Sequence, residues 1–360
     1  MRIVIAIASV LLLASCAQSV SKFYPEIIPN KANVTLPLNK DGKHVVNLTY
    51  LGCGNMIIEQ DGDAVVTDPF FSNQKFTRML GKVQTKPELY EVWKSRVQAS
   101  ASRGSVRAGL VSHTHYDHVM DLPTLVQAHY FTKMDVVYGN SYLPQMMVNF
   151  IKEGVRLEGL SNEQIFQPTI SNDQAYEWIN VTPRIRFMAI ESNHAPHTKR
   201  KLYMSKPLDP EYFKEHLIWP ADKIKARKWT VGTTYSFLVD FIAQDNDTLR
   251  MFIQTSASQF PYGKPPEAEL KKKKVDVAVL CYASTLNVKD YPKAIVKDID
   301  PAKLIVVHWE DFFRETTSDD HVKLVRRTNP RKARKRFDEL GKKKDFFVMP
   351  KPGTKVQITY

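Results

Sequence analysis

The stretch Ser112-His113-Thr114-His115-Tyr116-Asp117-His118 decides how this 360-residue chain is interpreted. It directly follows residues 106–111, which are predicted to form a strand. On the turn that leaves such a strand, His113 and His115 project to the same side, because side chains alternate with a period of two. Asp117 and His118 enter the next helix and reach a second position nearby. Imidazole nitrogens and a carboxylate oxygen suit a zinc-like ion with one open coordination position, so the stretch predicts a metal site.

Two further histidines at strand ends supply candidate ligands. His194 ends the run 185–193, and His308 ends the apolar strand 304–307. Because strand ends gather the site residues of an α/β sheet, both are expected to converge on the first motif. His197 is an alternative to His194. The other histidines are interpreted as ordinary surface or core residues: His44, His129, His216 and His321.

The pattern of the remaining chain is that of an α/β protein. Predicted strands cover 44–51, 56–59, 64–67, 106–111, 135–138, 184–191, 234–241, 249–255, 275–281 and 304–307. Predicted helices cover 87–99, 122–130, 143–153, 291–299 and 322–340. Strands come first in hairpins and later alternate with helices, twice over. This order predicts two sheets packed face to face with helices outside.

The motif resembles the signature of the metallo-β-lactamase superfamily, and the resemblance extends over most of residues 44–360. The stretch Thr67-Asp68-Pro69-Phe70-Phe71-Ser72 is similar to the superfamily's early strand, which implies that Asp68 orients a ligand histidine. Leu51-Gly52, Asn193-His194 and 307–312 resemble the branch that contains the N-acylphosphatidylethanolamine-hydrolysing phospholipase D and the ascorbate-phosphate lactonases. The implied fold is a four-layer αββα sandwich.

The resemblance also implies a ligand set for one or two zinc ions, or another divalent metal. One departure concerns Thr255, which stands where many dinuclear members have a bridging aspartate. A neutral hydroxyl is a poor bridge, so the second ion is expected to bind more weakly or to be held by a bridging hydroxide alone. The implied ligands are His113, His115 and His194 for one metal, with Asp117, His118 and His308 for the other.

Such a centre predicts hydrolysis. A zinc ion held by three histidines lowers the pKa of its bound water to about 7, which supplies hydroxide at neutral pH. Asp117, with His118 beside it, is the expected catalytic group that orients this nucleophile and accepts its proton. The predicted reaction is cleavage of an ester, lactone, amide or phosphodiester bond. The alternative is a degenerate site in a membrane-anchored lipoprotein that binds metal or ligand without turnover.

The N-terminus predicts export. Met1-Arg2 precedes the apolar run Ile3 to Leu13, and residues 1–16 have the pattern of a signal peptide. Leu13-Ala14-Ser15-Cys16 resembles the bacterial lipobox, which implies that Cys16 is acylated and anchors the protein in a membrane; an ordinary signal peptide is the alternative. Ala17 carries no signal for inner-membrane retention, so the outer membrane is favoured if the cell is Gram-negative.

Composition and charge bound the remaining possibilities. With 43% hydrophobic and 25% charged residues, the chain is globular, and collagen-like or disordered classes are excluded. Residues 17–43 are interpreted as a tether, and 44–360 as one hydrolase domain. The formal charge of +13 suits an anionic partner, and the expected export argues against a nucleic acid.

Three smaller features of the sequence concern the substrate, the cysteines and the charged surface. The basic, aromatic segment at about 195–232 is expected to be a lid over a small-molecule or lipid-like substrate, an anionic or acylated amphiphile. Cys53 and Cys281 are interpreted as buried free thiols, with a disulfide as the alternative. The basic stretches 271–274 and 326–344 are interpreted as solvated surfaces, with membrane contact as the alternative.

Overall fold

A computed structural model describes residues 32–39, 42–91, 94, 106–128, 135–170, 174–198, 201–219, 223–314, 322–341 and 346–360. Cys16, His129 and His321 lie outside these residues. The strands are β1 Asn33–Pro37, β2 Val45–Gly52, β3 Asn55–Gln60, β4 Asp63–Thr67, β5 Lys82–Gln84, β6 Val106–Leu110, β7 Val136–Gly139, β8 Arg156–Gly159, β9 Ile165–Phe166, β10 Ile179–Thr182, β11 Ile185–Ser192, β12 Lys223–Lys225, β13 Thr234–Ile242, β14 Thr248–Gln254, β15 Val277–Cys281, β16 Lys303–Val307, β17 Phe347–Val348 and β18 Lys355–Thr359.

The α-helices in the described part of the chain are short. They are α1 Tyr116–Val119, α2 Leu122–Gln127, α3 Tyr142–Met146, α4 Pro210–His216, α5 Glu267–Lys272, α6 Lys293–Ile299 and α7 Pro330–Asp338. Helical residues also occur at 87–91 and 94, where a helix was predicted over 87–99. No helix among the described residues has both the length and the apolar character needed to cross a membrane.

Two large mixed sheets form the centre of the molecule. The first has the strand order β1-β18-β2-β3-β4-β6-β7-β8, antiparallel from β18 to β4 and parallel from β4 to β8. The second has the order β10-β11-β13-β14-β15-β16-β17, antiparallel up to β14 and parallel beyond it, with β9 paired to β11. A small antiparallel pair joins β5 and β12. The α/β class with two sheets is therefore confirmed.

The two sheets share one core. Strands β14, β15 and β16 are almost fully buried and mostly apolar, because both faces of this parallel part are covered. Rings from the two sheets touch where Tyr138 of β7 meets Phe187 of β11, with centroids 4.9 Å apart. Helices α5 and α6 connect β14 to β15 and β15 to β16, so they cross the face of the second sheet that the first sheet leaves free.

Three segments differ from the sequence expectation or refine it. The predicted helix 322–340 begins only at Pro330, because proline fits the first helical turn and the Asn329 side chain caps it by accepting from Lys332 N at 3.1 Å. Within the predicted tether, residues 33–37 form the edge strand β1. The segment at 195–232 contains α4 and β12, and β12 ties it to β5.

Candidate metal centre

The histidine-rich turn is fixed by backbone contacts at the end of β6. Val111 N donates to Tyr138 O at 2.8 Å, so the strand register continues to the start of the motif. Thr114 N donates to Val231 O, and the Thr114 hydroxyl donates to Thr230 O at 2.7 Å. His115 then precedes α1 in extended conformation, which places Asp117 and His118 on the first turn of that helix. The end of β6 and the start of α1 therefore position the histidine and aspartate side chains of this turn.

Three histidines form a first group of potential ligands. One ring nitrogen each from His113, His115 and His194 lies within 4.8 Å of the other two. His194 follows β11, and its Nδ1 is 2.6 Å from Ala195 O, so Nδ1 carries the proton and Nε2 is free to bind a metal. His197 stacks on His194 with ring centroids 5.0 Å apart, beside this group. Of the two alternatives, the geometry brings His194 into the ligand group.

A second group contains a residue that the sequence analysis did not select. Ligand atoms of Cys53, Asp117 and His308 lie within 4.8 Å of one another. His308 Nε2 is 3.6 Å from Asp117 Oδ2, and His118 Nε2 is 3.9 Å from the same oxygen. Cys53 and Cys281 are both free and buried, as the favoured interpretation had it. The second group thus includes a thiol beside the expected carboxylate and imidazole.

Asp68 fixes the orientation of His118. The carboxylate follows β4, is fully buried, and accepts from Ser112 N at 2.7 Å. His118 Nδ1 donates to Asp68 Oδ2 at 2.9 Å. Because a carboxylate only accepts hydrogen bonds, the ring proton stays on Nδ1 and the Nε2 lone pair faces the centre. Asp68 therefore orients His118, one of the candidate ligands.

Thr255 is used to support Asp68. Its hydroxyl donates to Asp68 Oδ2 at 2.6 Å and lies 2.9 Å from Ser112 Oγ. Thr255 directly follows β14, which is the position expected from the sequence. Its only polar side-chain atom is hydrogen-bonded to the Asp68 carboxylate. The hydroxyl stabilises the charge of Asp68.

Burial sets the protonation states of the histidines. Burial lowers the pKa of His113 and of His194, with further lowering from neighbouring histidines. Burial, reinforced by His197, lowers the pKa of His115 to about 3. His118 is the exception, because the Asp68 carboxylate outweighs burial and raises its pKa. Three imidazoles are therefore neutral at neutral pH, which is the form that binds a metal.

The acidic groups of the centre respond to the same environment. Burial would raise the pKa of Asp117, but His308 and His118 outweigh it, so the pKa lies below its usual range. Burial raises the pKa of the Cys53 thiol, and the nearby Glu310 and Asp117 raise it further. Asp117 is therefore ionised and Cys53 is neutral when no cation lies between them.

A buried carboxylate links Cys53 to His308. Glu310 accepts hydrogen bonds from the backbone N–H of Cys53 and from the Tyr50 hydroxyl. The same hydroxyl accepts from His308 N at 2.9 Å. Cys53 and His308 both have left-handed backbone conformations, with φ of 51° and 56°. Such conformations persist only when neighbouring groups hold them, and the Tyr50 and Glu310 side chains do so here.

The residues present fit a divalent metal ion. His113 Nε2 and His308 Nδ1 are buried side-chain nitrogens without a hydrogen-bond partner in the described part of the chain. An unpaired buried nitrogen costs about 1–3 kcal/mol, and a metal ion removes that cost by accepting the lone pair. Nitrogen, oxygen and sulfur donors together match the ligands of zinc.

Two histidines that were interpreted as ordinary residues, His44 and His216, make contacts elsewhere in the described structure. His44 pairs with Asp245 at 3.0 Å, and His216 stacks on Tyr212. The sequence analysis did not identify Tyr50, Ser112 or Glu310 as supporting residues. The roles of Tyr50 and Glu310 depend on a contact between segments 260 positions apart, for which a single sequence gives no signal.

No model of a protein family matches this sequence, and no curated protein matches it either. Among solved structures, the fold is similar to Igni18, a metallo hydrolase from the archaeon Ignicoccus hospitalis, at 14% identity and a TM-score of 0.45, covering 88% of this chain and 99% of that chain. It is also similar to the metallo-β-lactamase fold protein YhfI from Bacillus subtilis, at 11% identity and a TM-score of 0.46, covering 86% and 98%. A third similar structure is an isothiocyanate hydrolase from Delia radicum gut bacteria, at 14% identity and a TM-score of 0.44, covering 86% and 97%.

Proposed function

We propose that this protein is a zinc-dependent hydrolase that cleaves an ester, lactone or phosphodiester bond. The observation that carries the proposal is the convergence of His113, His115 and His194 from two different sheets, with their ligand nitrogens within 4.8 Å. All three are neutral, His113 and His115 are buried and His194 is half-buried, and His113 Nε2 has no hydrogen-bond partner in the described part of the chain. Packing alone does not explain three neutral imidazoles that face one another, whereas a bound cation does.

The chain's own residues divide the work of hydrolysis. Zinc bound by the histidines would supply an acidified water and would polarise the bond to be cleaved. Asp117 is ionised and buried, and its Oδ2 lies 3.6 Å from His308 Nε2; its carboxylate would orient the attacking water and receive its proton. His118 is held by Asp68 and presents Nε2 to the same side as Asp117. These two residues are the proposed catalytic pair.

The surroundings favour an amphiphilic substrate with an anionic part. Met204, in the basic segment at about 195–232, lies with its carbonyl 3.4 Å from His115 Nε2, so this segment borders the centre. Lys201 lies over the Tyr203 ring in the same segment, 5.2 Å from its centroid. Beside His308, the Phe312 ring offers an apolar wall, with the centroids of the two rings 5.0 Å apart. Cationic and aromatic side chains together suit a phosphorylated or acylated amphiphile.

The first experiment measures metal content. The full chain, purified in detergent without added metal or chelator, is analysed by mass spectrometry and then assayed on ester, lactone and phosphodiester substrates before and after chelation. The proposal expects bound zinc and activity that is lost with the metal and restored by zinc. A chain that holds zinc at full occupancy without any turnover would instead support the alternative of a degenerate binding protein.

His115→Ala is the matched test of the first ligand group. The variant is expected to lose an ion and hydrolysis together, because only two nitrogens of the group remain. His216→Ala removes a histidine that stacks on Tyr212 away from the centre, and it is expected to retain both. Turnover in metal-depleted protein would contradict the mechanism.

We further propose that the protein is exported and anchored through acylated Cys16. The support is the sequence alone, namely the short apolar run followed by Leu13-Ala14-Ser15-Cys16. Two or more acyl chains hold a protein in a membrane far more firmly than one. Cys16→Ser should release the protein from the membrane fraction of the expressing bacterium, and a variant that stays in that fraction would contradict the anchor.

A further inference from the structure

Cys53 offers a chemistry that the histidine groups do not. Its thiol lies on the turn between β2 and β3, fully buried, with its sulfur in the group formed with Asp117 and His308. The three residues come from three separate places, namely a hairpin, the start of α1 and the end of β16. Convergence of one sulfur, one oxygen and one nitrogen within 4.8 Å gives the set of donors that binds zinc or cobalt.

We propose that Cys53 is a thiolate ligand of the second metal ion, together with Asp117 and His308. This inference rests on the proposed metal-dependent function. On binding, the Cys53 S–H bond breaks, the sulfur keeps the electron pair and donates it to the metal, and the proton leaves to water. No oxidant or reductant is needed.

The contacts around Cys53 explain how the sulfur is held in place. Glu310 accepts from the backbone N–H of Cys53 and, through the Tyr50 hydroxyl, supports the backbone of His308. One carboxylate thereby fixes the spacing between two proposed ligands that are 255 positions apart in the chain (308 − 53). His308 Nδ1 has no hydrogen-bond partner, so nothing in the described structure competes with the metal for this nitrogen.

The proposal also assigns a different role to Thr255. Its hydroxyl is bonded to Asp68 and is not available to bridge two ions. A thiolate at Cys53 would supply a negatively charged donor that Thr255 does not provide. Since thiolate is a soft ligand, the second site is expected to prefer zinc, cobalt or cadmium over magnesium or manganese.

The test uses cobalt as an optical probe. The full chain, freed of metal, is titrated with Co²⁺ while near-ultraviolet absorption from thiolate-to-cobalt charge transfer is recorded. Three proteins are compared: the unsubstituted chain, Cys53→Ser, and Cys281→Ser as the control, because Cys281 is the other buried free thiol in the described structure. Cys16 is present in all three and cancels in the comparison.

The expected result is a charge-transfer band in the unsubstituted chain and in Cys281→Ser, and none in Cys53→Ser. The affinity of Cys53→Ser for the second Co²⁺ should be lower than that of the unsubstituted chain by a factor of about 100 or more. Loss of a hydrogen-bond partner of a ligand alone lowers metal affinity by a factor of about 10–100. The ion at the three histidines should still bind. A band that persists in Cys53→Ser, or an unchanged second affinity, would overturn the assignment.

A second measurement uses only the unsubstituted chain, so its result does not depend on whether a variant folds. Zinc K-edge X-ray absorption of the chain loaded with two equivalents of zinc should show sulfur scattering from the Cys53 thiolate. Two bound ions with nitrogen and oxygen scattering only would overturn the role of Cys53 and leave the hydrolase proposal intact. A chain that binds no metal at all would overturn both.

Discussion

Replacement of Asp68 by asparagine tests whether the charge behind the centre controls metal binding. Asp68 accepts four hydrogen bonds in the structure, from Ser112 N, the Ser112 hydroxyl, the Thr255 hydroxyl and His118 Nδ1. In Asp68→Asn the amide keeps an oxygen for Ser112 N, and both hydroxyls can rotate to accept from the new NH₂ group. The His118 Nδ1–H has no such freedom, because it now faces a donor.

The expected loss follows from that one contact. His118 relieves the clash by moving its proton to Nε2, the nitrogen that would bind the metal, and the charge-assisted hydrogen bond is lost. A hydrogen bond to a charged group contributes about 1.5–3 kcal/mol, which corresponds to a factor of about 10–150 in an equilibrium constant. The zinc affinity of the second ion should fall by that factor, whereas the fold is retained.

The assay is competition for Zn²⁺ against a chromophoric chelator, with thermal unfolding followed by circular dichroism on the same samples. Thr255→Val is the matched control, because it removes a hydroxyl from Asp68 without touching His118. The control is expected to lose less than about tenfold in affinity, since a single hydroxyl contributes about 1 kcal/mol. A folded Asp68→Asn protein whose zinc affinity stays within about twofold of the parent would refute this reasoning.

Three further outcomes are expected. Arg250→Met should lower the free energy of unfolding by about 3–5 kcal/mol in urea titrations, because it leaves the buried Asp240 carboxylate without its main cation; a change below about 1 kcal/mol would contradict this. Metal-free protein should lose stability as pH falls from about 7 to about 5. The folded-state pKa of His115, about 3, lies below its unfolded value of about 6.5, so its contribution is present above pH 6.5 and is lost on acidification, about 2 kcal/mol over that interval; urea titrations at several pH values in chelator check it, and a flat profile would contradict it. Gly232→Ala should lower the melting temperature more than Gly62→Ala. Both glycines have positive φ, but only at Gly232 would a Cβ meet the Asn140 amide, and equal melting temperatures would exclude this contact as the cause.

The fold was largely predictable because its central strands carry strong local signals. The runs that became β15 and β16 are continuous and apolar apart from Lys303, as expected for strands buried on both faces. Strand β18 alternates buried and half-buried residues over only five positions, and β1 is equally short and partly exposed. Neither pattern is long enough to be recognised as a strand from the sequence. The start of α7 depends on Asn329 and Pro330, a capping signal that the basic periodicity of this stretch obscured.

The site was predictable where its geometry is local. His113, His115, Asp117 and His118 are close because they share one turn, and strand ends brought His194 and His308 to it. Cys53 was not predicted because its approach to the centre depends on contacts between remote segments. Its turn is held by a carboxylate that lies 257 residues away along the chain. A single sequence carries no signal for such a contact.

The pairing of β18 has a consequence for how the protein is made. This strand lies between β1 and β2, parallel to the first and antiparallel to the second, so residues near position 356 separate two strands formed before position 53. Until residues 355–359 have been synthesised, β2 lacks a neighbour on one side, and β1 has no strand to pair with. An edge that stays open until residues 355–359 are made invites pairing with other chains. Residues 355–359 therefore complete the sheet and also end the exposure of this edge to aggregation.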